Sequence, residues 1–202
     1  MKLFFQYCSY GFSNCYVLGS EDTKMAIIVD PGSIESITLE NIENNNFDLK
    51  AVLKTHDHLS HVRGLRTLKR IYNAEVFAVN QSIMDHKTTM VKDGDMFNIA
   101  GFRIEVISIP GHSSDSVVYR IGGLLFTGDV LTAGLVGSTA SAYGAATQMD
   151  KLRSRLLSLP GDYVVLPGHG PPSTLEAERR FNISIFNYDQ NRSKRQPFSV
   201  NI

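Results

Sequence analysis

The chain has only two cysteines and six histidines in 202 residues, and no excess of charge: twenty basic residues balance twenty acidic ones. That balance excludes a bulk field able to recruit nucleic acid or an anionic membrane. No apolar run is long enough to span a bilayer. The apolar start, Met1 to Tyr7, is too short for a signal-peptide core and lacks a small-residue cleavage site, so it reads as a first strand. Cytoplasmic location is the expectation. Two cysteines cannot form a disulfide framework. Cys8 and Cys15 could face each other across an early hairpin, but in a cytosolic chain they are expected to stay reduced and pack as small apolar residues. No low-complexity linker interrupts the chain. Its length suits one domain, read as residues 1–188, with a polar tail over 189–202 that includes the basic run Asn191 to Arg195.

Periodicity sketches the elements. Leu3 to Tyr7, Cys15 to Gly19 and Met25 to Val29 read as three strands, the last stopped by Asp30-Pro31-Gly32. Ser33 to Ile42 reads as a short helix capped by Ser33. Ala51 to Thr55 is a buried strand. Val62 to Tyr72 is an amphipathic helix with Leu65, Leu68 and Ile71 on its apolar side, and Ala74 to Val79 is a strand. Further strands are expected at 96–100, 103–109, 116–121, 124–126 and 163–166, with helices at 149–157 and 175–186. Ala133 to Ala146, rich in Gly and Ala, reads as a mobile loop. Pattern alone supports a mixed α/β fold.

The histidines are few but concentrated. Three fall in the block His56-Asp57-His58-Leu59-Ser60-His61, directly after the buried strand. Neutral imidazole is the commonest side-chain ligand for zinc and its neighbours. Three later strand-like runs end alike: Pro110-Gly111-His112, Thr127-Gly128-Asp129 and Pro167-Gly168-His169. Each is an apolar run, then Gly, then a ligand-type residue. Strand ends are where loops converge on one spot, and glycine lets the backbone come close to whatever lies there. His86 sits among polar residues and reads as a surface histidine. Asp30 reads as a turn residue hydrogen-bonded near the site. Asp115 is either a turn residue or a group that orients a ligand histidine. Ser113, Ser114 and Ser116 read as loop hydrogen bonders. Tyr143 either lines a pocket or covers the core.

These pieces, together with Asn14-Cys15-Tyr16, Asp30-Pro31-Gly32 and the run Ser173 to Arg180, appear in an order that resembles the metallo-β-lactamase-fold hydrolases. Within that superfamily the chain is most similar to short relatives of glyoxalase II, the hydroxyacylglutathione hydrolases. The resemblance covers nearly the whole chain. It implies a four-layer αββα sandwich with metals at one edge between two sheets. It implies that His56, His58 and His112 hold a first metal, that Asp129 bridges, and that His61 and His169 hold a second. Zinc is the first expectation; iron and manganese suit the same ligands. A divalent ion with an open position lowers the pKa of water towards about 7, so no side-chain nucleophile is needed. The implied activity is hydrolysis of a thioester or related small ester, and the implied partner is a small molecule.

Two alternatives stay open. Some relatives oxidise glutathione persulfide on a single iron, and His56, His112 and Asp129 could supply that set. A degenerate site kept as a binding module is the other. The sequence departs from the family at residue 60, where relatives carry aspartate and this chain has Ser60. It also ends before the C-terminal helical domain of full-length glyoxalase II, and it lacks an Arg-Thr-Asp run after Asp129. A serine hydroxyl is a poor ligand beside a carboxylate and brings no charge. The second position is therefore expected to be the weaker one. Metal counting after exhaustive dialysis is expected to find a single tightly held ion per chain; two ions retained equally would contradict this.

Overall fold

Strands that are buried on both faces carry apolar residues at successive positions, as Val17-Leu18, Ala26 to Val29, Ala51 to Leu53 and Leu124 to Phe126 do here. A computed structural model of the chain describes residues 1–193. Its first sheet is built from β1 (Lys2–Tyr7), β2 (Asn14–Gly19), β3 (Met25–Val29), β4 (Asp48–Leu53), β5 (Glu75–Ala78) and, after the small hairpin β6 (Ser82–Ile83) and β7 (His86–Lys87), β8 (Thr89–Met90). The order is β1-β2-β3-β4-β5-β8, antiparallel at the β1 side and parallel from β3 onward.

The second sheet takes β9 (Met96–Ile99), β10 (Phe102–Ser108), β11 (Val117–Ile121) and β12 (Leu124–Gly128). A two-stranded ribbon, β13 (Leu131–Thr132) and β14 (Leu135–Val136), follows. β15 (Val164–Pro167) and β16 (Ser173–Thr174) complete the sheet, in the order β16-β15-β12-β11-β10-β9.

Side chains alternate across each strand, so each sheet has two faces to bury. Three apolar clusters do this. The middle one joins Ile27, Val29 and Leu53 of the first sheet to Ile104, Tyr119 and Phe126 of the second. A second cluster packs Ile28 and Val52 under α1 (Ser36–Glu43) and α3 (Leu65–Ile71) through Ile42, Leu65 and Leu68. A third packs Val118, Leu125 and Val165 against Leu152, Leu156 and Leu175. Those three come from a π-helical segment, Leu152–Leu157, that continues α4 (Ala142–Lys151), and from α5 (Leu175–Phe181). Three apolar layers between four structural layers give the expected αββα sandwich.

Several boundaries differ from the sequence reading. Ser33 is not the cap of the first helix; its hydroxyl donates to Glu35 Oε1 at 2.7 Å, and Glu35 takes the cap position of α1. The helix expected over 62–72 is two pieces, α2 (Leu59–Val62) and α3, broken at Arg63-Gly64, and Ile71 is exposed. The stretch expected to be a loop over 133–146 holds β14 and the start of α4. Ser141 caps that helix, its hydroxyl accepting from the Gly144 N–H, and alanine favours helix once a cap is present. The closing helix breaks at Asn182 into α5 and α6 (Ile183–Ser193). Residues 189–193 of the expected tail thus lie in α6, and 194–202 lie outside the described residues. Tyr143 is 82 % exposed and does not cover the core. Among the described residues no helix is long and apolar enough to cross a membrane.

What this fold does for the site is bring ligand-bearing strand ends to one edge. Hydrogen bonds tie the two sheets there: Val117 N to Thr55 O at 2.9 Å, Asn14 N to Gly168 O at 2.7 Å, and Tyr16 Oη to Pro167 O at 2.7 Å. Gly32 supports the histidine block from below. A Cβ at that position would stand 1.9 Å from the Ser60 carbonyl oxygen and 2.5 Å from Ser13 Oγ. Gly32→Ala is expected to destabilise the protein by about 1–3 kcal/mol, as overpacking does. Urea denaturation checks it, and a variant within about 0.5 kcal/mol of the parent, the usual scatter of surface changes, would contradict this packing.

Candidate metal centre

The chain leaves β4 at Leu53 and delivers His56, His58 and His61 within one short segment ending in α2. His112 comes from the loop after β10, Asp129 directly follows β12, and His169 follows β15. The six residues predicted from the sequence are brought together. Ligand atoms of His56, His58, His112 and Asp129 lie within 4.8 Å of one another, and so do those of His61, Asp129 and His169. Asp129 belongs to both groups.

Hydrogen bonds on the outer ring nitrogens decide which way each imidazole presents its lone pair. His112 Nδ1 lies 2.8 Å from Ser138 O, which can only accept, so Nδ1 carries the proton and Nε2 presents a lone pair inward. His169 Nε2 likewise donates to Gly11 O at 3.0 Å, leaving Nδ1 facing Asp129. The Thr55 hydroxyl donates to Asp30 Oδ2, so its oxygen accepts from His56 Nδ1 at 3.0 Å and His56 Nε2 faces inward.

The inward groups then crowd one another. His58 Nδ1 lies 3.1 Å from both His56 Nε2 and His112 Nε2, and a single ring nitrogen can donate to only one of them. Asp129 Oδ2 stands 3.8 Å from His56 Nε2 and 3.7 Å from His112 Nε2. In the other group His169 Nδ1 is 2.8 Å from Asp129 Oδ1, and His61 Nε2 is 3.4 Å from Asp129 Oδ2. Converging acceptors without enough protons between them suit a bound cation, and three imidazoles with a carboxylate are donors fit for zinc, iron or manganese.

The protonation pattern separates the two groups. Burial, reinforced by neighbouring His61, holds His56 down to about 2, and burial with His112 lowers His58. These imidazoles are neutral and ready to ligate. Burial pulls His61 down too, but its contacts with Asp129 and Asp30 outweigh that and raise it. The Asp129 hydrogen bond raises His169. Burial alone would push the Asp129 carboxyl up; its contacts with His169 and His61 hold it well below the usual range instead.

Behind the ligands lies a supporting carboxylate whose full role the sequence did not reveal. Asp30 is buried at a left-handed turn, φ +49°, and accepts from Thr55 N at 2.9 Å and from Lys54 Nζ at 2.7 Å. Its Oδ2 also faces His61 Nδ1 at 3.3 Å. Lys54 was missed. The available signal was a lone charged residue inside an apolar strand run.

Asp115 does not touch an imidazole. Its carboxylate accepts from Asp57 N at 2.9 Å and Asn80 Nδ2 at 3.1 Å, and so pins the backbone between His56 and His58. Ser113 and Ser116 bond each other across the His112 loop at 2.7 Å. Asn14 was known only as part of a motif. Its amide donates to Pro167 O and Gly170 O at 2.9 and 2.7 Å, holding the loop that carries His169. His86, expected at the surface, is half-buried on β7, away from both groups. Cys8 and Cys15 are buried free thiols, as expected.

A family model described as the Metallo-beta-lactamase superfamily matches residues 9–169. Hydroxyacylglutathione hydrolase GloC of Haemophilus influenzae is 28% identical over 193 residues, which cover 84% of this chain and 91% of that protein. A probable polyketide biosynthesis zinc-dependent hydrolase, BaeB, of Bacillus velezensis is 30% identical, covering 84% of this chain and 80% of its own. Among solved structures, ETHE1 from Myxococcus xanthus has a TM-score of 0.81 at 25% identity, covering 98% of this chain and 93% of that one.

Raised imidazoles keep their protons to higher pH, and a metal must displace them; lowered ones have none to give up near neutrality. Lowering the pH from 8 to 6 is therefore expected to weaken ion binding at His61 and His169 before it weakens binding at His56 and His58. Equilibrium dialysis at stepped pH reads this. Simultaneous loss of both ions, or earlier loss from the His56 group, would contradict it.

Proposed function

From the premise that the chain belongs to the metallo-beta-lactamase superfamily, a superfamily of metallo-hydrolases, we propose that it hydrolyses a small thioester or ester at the His56–His58–His112–Asp129 group. What carries this reading is the inward lone pairs of His56 and His112, each fixed by a hydrogen bond on the opposite ring nitrogen, converging with His58 and Asp129. The likeness to a hydroxyacylglutathione hydrolase matched over nearly its own length supports the thioester in particular. A divalent ion in this group supplies Lewis acidity to a scissile carbonyl and acidifies water.

The chain's own residues do the rest. His56, His58 and His112 are the proposed ligands of the first ion, Asp129 the shared one, and His61 and His169 those of the second, weaker one. Ser138 O and Thr55 Oγ1 hold two of the rings in the ligating tautomer. Asp129, 12 % exposed, keeps a fixed negative charge at the floor. Phe12, Leu59 and Tyr143 are exposed apolar residues on the segments that carry Gly11, His58 and Gly144.

Protein loaded in turn with zinc, iron and manganese, assayed against S-lactoylglutathione, simpler acyl thioesters, a lactone and a phosphodiester, tests the reading. Thioester turnover abolished by chelator and lowered at least about a hundredfold by His58→Ala is expected, by analogy with the loss of a principal electrostatic group. Turnover unaffected by chelator would contradict it. Oxygen uptake with iron and a persulfide, without thioester hydrolysis, would move the assignment to oxidation at His56, His112 and Asp129.

A further inference from the structure

Lys54 directly follows β4, two residues before His56, and its side chain is 1 % exposed. Its Nζ lies 2.7 Å from Asp30 Oδ1 and donates to the carbonyl of His61 at 2.5 Å. On its far side, Asp30 Oδ2 faces His61 Nδ1 at 3.3 Å. Asp30, His56 and His61 form a third buried group whose ligand atoms lie within 4.8 Å of one another. Lys54 already meets the carboxylate of that group with a positive charge.

His61 is common to this third group and to His61–Asp129–His169, as His56 is to it and to His56–His58–His112–Asp129; but Asp30 Oδ2 faces the His61 ring nitrogen directly, while the Thr55 hydroxyl stands between it and His56. A carboxylate behind a ligand imidazole strengthens the ligand and adds negative field to the site. The Asp30 carboxylate stands in that place, and the ammonium ion-paired with it cancels its charge. A dication beside His61 and His169 is then left with Asp129 as the only uncompensated carboxylate of its group, and Asp129 is shared with His56, His58 and His112. Two dications would share one negative charge in a poorly screened interior, where like charges repel strongly. We propose that Lys54 is an internal counter-cation that limits the centre to one tightly held divalent ion. The inference rests on reading His56, His58, His112 and Asp129 as the tight position. It adds a second cause, independent of Ser60, for the weakness of the other.

Zinc titrated into metal-free protein against a competing chelator, followed calorimetrically, tests this without any assay of hydrolysis. Lys54→Met keeps the apolar stem and removes the charge. It is expected to tighten the second equivalent by about tenfold or more while moving the first by less than about threefold, since the Asp30 carboxylate meets His61 directly and His56 only through the Thr55 hydroxyl. In Lys54→Met/Asp30→Asn the pair is neutral, as the ion pair is in the parent, and the second equivalent is expected to return to the parent affinity. An unchanged second equivalent in Lys54→Met, with parental circular dichroism, would overturn the proposal and leave the metal centre standing. Should Lys54→Met not fold, Asp30→Asn and the double variant differ only in the charge of Lys54. Equal second affinities in those two would overturn the proposal; a weaker one in Asp30→Asn is the expected result. Failure of the parent to bind any zinc would defeat the metal centre itself, and this proposal with it.

Discussion

Imidazole nitrogens pressed to about 3 Å with too few protons between them repel, and the fold holds three of them in that arrangement. Everything at the reactive edge follows from this constraint. Two of these rings cannot turn away, because the outer nitrogens of His112 and His56 are hydrogen-bonded to Ser138 O and Thr55 Oγ1; in the second group Gly11 O holds His169 in the same way. The backbone segments carrying them are held by the links between the sheets and by Asp115 and Asn14. A packed interior does not yield to such repulsion by small shifts. A cation is what would relieve the mismatch, turning a crowded set of acceptors into a coordination shell.

The supporting layer explains why the two groups differ. Asp30 is a buried carboxylate, and a buried charge without partners is expensive. Lys54, Thr55 and His61 surround it, so its charge is consumed locally. The first group faces neutral imidazoles whose burial keeps them unprotonated. The second relies on His61 and His169, which retain protons more firmly because they lean on Asp129. The same carboxylate that joins the groups thus makes one of them harder to fill.

Much of this was legible before the fold was known. The histidine block and the three glycine-preceded strand ends sufficed to name all six converging residues, because chemistry at a sheet edge leaves a local signature: an apolar run, a glycine, a polar ligand. The four layers were legible only through the family resemblance; the pattern of elements by itself reached a mixed α/β fold. Helix boundaries were not legible. Gly64 and Asn182 are weak helix formers, but a single such residue is often tolerated inside a helix, so the breaks there were not evident from the pattern, and a capped alanine-rich segment looked like a loop. The supporting partners were least legible. For Lys54 the local signal was only a charge inside an apolar run, and nothing local tells Asp115 from a turn aspartate. Their partners are the carboxylate of Asp30 and the backbone of Asp57, 24 and 58 residues away.

Anomalous diffraction from crystals grown with zinc tests the central claim most directly. The account predicts a single strong peak bounded by His56 Nε2, His58 Nδ1, His112 Nε2 and an Asp129 carboxylate oxygen, with a weaker peak or none beside His61 and His169. A strong peak elsewhere, or none at saturating zinc with the four side chains in place, would contradict it.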